Sequence, residues 1–156
     1  MHTLGNPVDL DAAVELCQKY RFTLIEDAAE ALGSYYKGAH VGHRGLFGTF
    51  SFNGNKIITT SGGGALVSEN EDWVKQARFL ATQARDAAPH YEHSQIGYNY
   101  RMSNVCAGIG RGQMEVLPLR VAQRRANYAF YQEAFNGIEE IVFNPEPDAD
   151  FFSNHW

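Results

Sequence analysis

The chain has 156 residues, 44% hydrophobic and 20% charged, with a formal charge of −5. Such a composition suits a soluble globular domain with a real core, and the acidic balance argues against a nucleic-acid binder. No apolar run reaches the roughly 20 residues that cross a bilayer, and MHTLGNPVDL lacks the basic start and apolar centre of a signal peptide.

In chain order, Asp9 to Tyr20 carries Leu10, Val14 and Cys17 at helical spacing, with Asp9 available as the N-cap. Phe22-Thr23-Leu24-Ile25 then reads as a short buried parallel strand with acid, Glu26-Asp27, at its carboxyl end. Helix followed by strand predicts an α/β fold. Residues 28–47, rich in Gly, Ala and His, read as an irregular crossing segment. Two strands are expected at Gly48–Phe52 and Gly64–Ser68, and Glu71 to Ala84 reads as a helix capped by Asn70. Residues 85–102 have no period and read as a polar, aromatic loop. From Ser103 the pattern is helical again, divided by Pro118 into one helix through about Val116 and another to about Phe135. Gly108, Gly110 and Gly112 each cost that first helix roughly 1 kcal/mol, so tight packing against a neighbour is expected there. The tail NPEPDADFFSNHW reads as unanchored, its aromatic residues lacking an obvious core.

Lys56 lies in SFNGNKIITTSGGG, between an aromatic run and a β-branched one. A phosphate loop needs glycine directly before the lysine and a hydroxyl directly after; Asn55 and Ile57 stand there instead. No G-x-G-x-x-G joins a strand to a helix, and the triple glycine precedes a strand, where a turn of positive φ is the simpler role. His40/His43 and His90/His93 have metal-compatible spacing but no third ligand, so no metal is expected. Cys17 and Cys106 form no CxxC or zinc pattern and read as reduced, buried thiols of a cytosolic protein. An acid such as Asp27, alone at a strand end, is more often a structural pair or a cap. Taken with Lys56 it also fits pyridoxal phosphate chemistry, in which a lysine forms a Schiff base and an acid faces the pyridine nitrogen. Ser51 could then donate to the cofactor phosphate. Spacing alone leaves these readings open.

Three longer stretches narrow them. LIEDAAEALGSYYKG, GTFSFNGNKIITTSGGGALVS and HYEHSQIGYNYRMSNVCAGIGRGQMEVL, in that order, resemble the DegT/StrS nucleotide-sugar aminotransferases, which are fold type I pyridoxal phosphate enzymes. The resemblance runs from His2 to the end of the chain. It implies part of an α/β large domain, a mainly parallel sheet flanked by helices, truncated at both ends. Residues 1–136 would be a portion of the cofactor domain and 137–156 the start of a connection to a small carboxyl-terminal domain. By the same resemblance Lys56 is the Schiff-base lysine, Asp27 the pyridine-nitrogen partner, Ala29 a contact on one ring face and Ser51 a phosphate ligand. Asn99 would reach the cofactor phosphate of a neighbouring subunit, making a homodimer with shared sites, and Arg101 is a weaker candidate for substrate contact. Glu30 departs from the commoner His or Gln near the ring oxygen, where a carboxylate needs a proton or a partner. The implied reaction is amination of a nucleotide-linked 4-keto-6-deoxy-N-acetylhexosamine of the UDP type, with glutamate as amino donor. GDP-perosamine synthesis is the alternative, and a non-catalytic domain that keeps the fold is a third reading. The lysine itself argues against the family's sugar dehydratases, which carry histidine there.

Overall fold

The computed structural model describes residues 1–156. Helix α1 (Leu10–Tyr20) starts where expected, because the Asp9 carboxylate accepts from the Ala12 N–H at 3.0 Å. Strand β1 (Ile25–Asp27) begins three residues later than the apolar run predicted and contains both acids. Phe22 is 70% exposed, so the buried strand expected over 22–25 is corrected: the burial there belongs to Glu26. The predicted crossing segment holds a hairpin, β2 (Tyr35–Tyr36) and β3 (Ala39–His40). Lys37 and Gly38 make its two-residue turn with φ of 50° and 76°, the pairing of positive angles that suits a tight hairpin.

Strands β4 (Phe47–Ser51) and β5 (Gly64–Val67) complete the first sheet, in the order β1-β4-β5. The expected parallel pairing is β1 with β4, Asp27 opposite Thr49, while β4 and β5 pair antiparallel. Gly48 has no alternative residue, since a Cβ there would overlap the Gly42 carbonyl. Helix α2 (Glu71–Ala81) is capped by Asn70, whose side chain accepts from Asp72 and Trp73. It stops three residues short of the prediction because Thr82 leaves the helix and pairs with Asn99, drawing Gln83 and Ala84 to positive φ. Helices α3 (Asn104–Glu115) and α4 (Leu117–Ala134) divide at Pro118 as read. Close packing meets only one of the α3 glycines: a Cβ on Gly110 would touch Thr60 at 3.0 Å, whereas Gly108 and Gly112 face open space.

The tail is anchored, contrary to its reading. Strand β6 (Phe151–Phe152) pairs with β2 to close a second sheet, β3-β2-β6, and Ser153 and Asn154 are fully buried. Tyr36 and Phe151 meet edge to face at 5.1 Å, beside the small core of Leu10, Ala28, Ala31, Tyr36 and Val41. No helix is long and apolar enough to cross a membrane.

Glu26 ties these pieces together. Its buried carboxylate accepts from the N–H groups of Gly42 (2.7 Å), Arg44 (2.6 Å) and Gly45 (2.7 Å) and contacts His2 Nε2 at 3.1 Å. His2 Nδ1 accepts from the Val8 N–H at 3.2 Å, so the ring's remaining proton sits on Nε2 and points at Glu26. Burial pushes the Glu26 carboxyl up, but the His2 bond and the Gly45 and Gly42 N–H groups outweigh it, holding it at about 2 against an ordinary 4.5. A depressed carboxyl stabilises the fold above its unfolded value and ceases to do so as pH falls from about 4.5 towards 2. Acid unfolding followed by circular dichroism should therefore show a loss of about 3 kcal/mol across that window. The Glu26→Gln variant should lack most of that slope, and an unchanged slope would assign it to other carboxylates.

Candidate active site

The carboxyl ends of β1 and β4 lie side by side, which is where open α/β sheets place ligands. Asp27 ends β1. One of its carboxylate oxygens, Oδ1, accepts from the Ala29 N–H at 3.1 Å, a local turn that fixes the side chain and leaves Oδ2 without a partner. Ser51 ends β4, and its hydroxyl accepts from the Asn53 N–H at 3.3 Å with its own proton free to donate.

The loop from Phe52 to Gly63 carries Lys56 and is closed at its base. Phe52 donates to the Gly63 carbonyl at 2.9 Å and accepts from the Thr60 N–H at 3.0 Å and the Thr59 hydroxyl at 3.1 Å. Ile57 and Ile58 are buried beneath it, and Lys56 N–H turns back to the Asn53 carbonyl at 3.1 Å. Of the triple glycine only Gly63 needs positive φ, at 96°. The Lys56 ammonium stands 3.8 Å from Glu30 Oε1 and 4.7 Å from the centre of the Trp156 ring. Glu30 Oε2 accepts from the Leu4 N–H at 2.7 Å, so both oxygens of the unusual glutamate are engaged. The partner that a carboxylate at this position needs is therefore present: Leu4 on one side and Lys56 on the other.

Asp27 and Ser51 thus lie at the carboxyl ends of adjacent strands, with Ala29 and Glu30 directly after β1 and Lys56 against Glu30. Asn99 and Arg101 do not join them. They are exposed in a separate polar cleft with Thr82, Gln83, Ser103 and Asn104, and no contact links either to Lys56. Of the histidine pairs, His40 accepts from the Gly33 N–H at 2.8 Å and meets the Val41 carbonyl at 2.6 Å, His93 meets the Gln83 carbonyl at 2.9 Å, and His90 faces the Glu92 carboxylate at 3.5 Å. No three His, Cys, Asp or Glu side chains gather as a metal set. Both cysteines are free and only partly buried. Three residues of the site's surroundings escaped the sequence reading. Glu26 gave a signal, an acid inside a strand followed by the glycine-rich GHRG; Asn154 and Trp156 gave none, since their partners lie a hundred residues or more away.

The DegT/DnrJ/EryC1/StrS aminotransferase family model matches residues 1–156. The chain belongs to that family. Its members are pyridoxal phosphate-dependent. EpsN of Bacillus subtilis (strain 168), assigned as a pyridoxal phosphate-dependent aminotransferase, is 53% identical over 97% of the chain and 39% of its own length. The GDP-perosamine synthase of Escherichia coli O157:H7 is 36% identical over the whole chain and 42% of its own length. A UDP-4-amino-4,6-dideoxy-N-acetyl-beta-L-altrosamine transaminase of Campylobacter jejuni is 37% identical over 84% of the chain and 35% of its own. Among solved structures, the aminotransferase TlmJ from Streptoalloteichus hindustanus superposes with a TM-score of 0.92 at 30% identity, over 99% of this chain and 42% of that one. The chain spans about two fifths of the length of the curated relatives it matches, and the fold is that of the fold type I aminotransferases.

The residues present fit the family's cofactor. A carboxylate with an unpartnered oxygen at the end of β1, a free hydroxyl proton at the end of β4 and an amine in the loop that follows make the donor set that pyridoxal phosphate requires. The two contacts of Glu30 can be separated by substitution. The ion pair, though its side chains are only 13% and 21% exposed, is too long at 3.8 Å for a hydrogen bond, whereas the Leu4 N–H bond is short at 2.7 Å and, lying in an exposed turn, is worth about 0.5–1.5 kcal/mol. Thermal denaturation should accordingly show Glu30→Gln close to the parent and Glu30→Ala clearly lower; equal losses would mean that the ion pair dominates.

Proposed function

We propose that the chain carries the lysine-bearing part of a pyridoxal phosphate-dependent sugar aminotransferase, which moves an amino group from glutamate to a ketone at C4 of a nucleotide-linked 6-deoxy sugar. The observation that supports it most is the placement of Lys56 beside Glu30, three residues past Asp27 at the carboxyl end of β1, with Ser51 at the carboxyl end of the neighbouring β4. The cofactor supplies an electron sink for the pair released when a carbon-bound proton leaves. Lys56 Nζ would hold the cofactor and carry that proton. Asp27 Oδ2, the oxygen with no partner, would keep a proton on the ring nitrogen, and the Ser51 hydroxyl would donate to the phosphate. Ala29, with no side chain beyond Cβ, leaves room for the ring, and Glu30 keeps its Leu4 N–H bond when Lys56 is taken up by the cofactor.

The UDP-N-acetylhexosamine class is favoured by the similarity to the Campylobacter transaminase, and GDP-perosamine synthesis is the second reading, favoured by 36% identity across the whole chain. Asn99, exposed and apart from Lys56, suits a residue that serves the cofactor phosphate of a partner subunit in a cytosolic homodimer, and Arg101 beside it is a weaker candidate for substrate contact. Residues 137–156 would lead from the cofactor domain, 1–136, towards a small domain.

Incubation with pyridoxal phosphate, borohydride reduction and peptide mapping should label Lys56 in preference to Lys19, Lys37 and Lys75. The Lys56→Ala variant should lose that label, and Asp27→Ala should weaken cofactor binding by about tenfold, roughly 1.4 kcal/mol. Equal labelling of all four lysines would remove the cofactor role.

A further inference from the structure

We propose that Trp156 is a positioning residue of the Lys56 site: its indole forms the wall over the ammonium and sets how open the lysine is to a carbonyl reagent. The inference rests on Lys56 as the reactive amine and deepens that reading. A lysine on four methylenes has many rotamers, and an exposed one samples them freely. Lys56 does not. Glu30 stands on one side of Nζ at 3.8 Å, the ring face of Trp156 on the other at 4.7 Å, and the side chain is left 13% exposed. A cation over an indole face is the strongest of the cation–aromatic pairings, more so when water is excluded.

The indole is not placed by a hydrogen bond of its own, because its buried Nε1 has no acceptor. Two sets of anchors put it there. On the side of the lysine site, Asn154 Nδ2 donates to the carbonyls of Glu30 and Leu32, each at 2.9 Å, and the Asn154 N–H donates to the Ser34 hydroxyl at 2.9 Å. On the side of α4, Arg125 donates to the Ser153 carbonyl at 2.6 Å while pairing with Glu146, which itself accepts from the Ser153 N–H at 2.6 Å. The His155 ring lies flat on Tyr128, centres 3.7 Å apart. Glu30 is thus held by its side chain against Lys56 and by its carbonyl against the tail, so the residue facing the amine and the residue covering it are joined through one backbone unit. Helix α4, far from the lysine in sequence, reaches the site through Arg125.

Reductive methylation with formaldehyde and cyanoborohydride, quantified lysine by lysine, tests this, with Lys75 (69% exposed) as the internal reference. In the parent chain Lys56 should react more slowly than Lys75. In Trp156→Ala the Lys56-to-Lys75 ratio should rise about fivefold, the ratio of the two exposures, while Trp156→Phe, which keeps a ring face, should stay near the parent. Arg125→Gln should raise the ratio by less. An unchanged ratio in Trp156→Ala overturns the proposal, as does a parallel rise at Lys37, which would signal general loosening. Should Trp156→Ala fail to fold, acrylamide quenching in Trp73→Phe, where only Trp156 emits, decides: weak quenching supports the covered position and free quenching overturns it. Selective protection of Lys56 by Trp156 combined with indiscriminate labelling by pyridoxal phosphate would keep the tail's role and remove the cofactor reading.

Discussion

A single buried carboxylate organises this fold. Glu26 sits inside β1, where an unpaired charge would cost several kcal/mol, and it is tolerable only because three backbone N–H groups and His2 converge on it. Those donors come from two distant segments, the GHRG turn before β4 and the first residues of the chain. The carboxylate therefore closes the turn that sets the start of β4 and pins the amino-terminal segment across β1, where His2 N–H also donates to the Asp27 carbonyl at 2.9 Å. Register follows: with β1 and β4 held at one end, Asp27 falls opposite Thr49, and the functional edge of the sheet is defined two residues later at Ser51.

Such a polar knot carries weight because the apolar core is small. Only 20 of 156 residues are buried, and the core cluster contains two alanines among its five members. Beside that core stand other constraints on the path of the chain. Here they are hydrogen-bonded networks that join distant parts of the chain: Glu26 with residues 2 and 42–45, Asn154 with residues 30–34, and Arg125 with Glu146 and Ser153. Each leaves a main-chain turn where a helix or strand would have satisfied itself, and each turn lies near the lysine loop or supports a segment that does.

Local chemistry explains what could be read from residues alone. The caps at Asp9, Asn70 and Ser103, the division at Pro118 and the strands flanking Lys56 follow from groups within a few positions of one another, and they were legible. Lys56, Asp27 and Ser51 were singled out as a set by the resemblance, since spacing alone left their roles open; Asp27 and Ser51 end adjacent strands and Lys56 lies in the loop that follows β4. The misreadings share a cause. Phe22–Ile25 looked buried because an apolar run implies a core, yet the strand shifted to bury Glu26, whose partners lie 16 to 24 residues away. The tail looked unanchored because its strand partner, β2, is a two-residue segment more than a hundred positions earlier. Lys37-Gly38 did carry a hairpin signal, but the run of glycine and histidine around it concealed the short strands on either side.

The arrangement around Glu30 shows how the two kinds of information meet. As a residue type it was an anomaly, a carboxylate where an electron-rich ring oxygen would lie. Its setting supplies three contacts: one oxygen is taken by Leu4 N–H, the other faces the Lys56 ammonium, and its carbonyl is taken by Asn154. A glutamine could replace the first contact and a histidine neither in the same geometry, so the choice of acid is tied to the amino-terminal turn and to the lysine at once. The amino-terminal turn is in turn fixed by His2 on Glu26. Two adjacent acids, Glu26 and Asp27, and a third at Glu30 thus divide the work: the first builds the frame, the second keeps one oxygen free, and the third holds the amine.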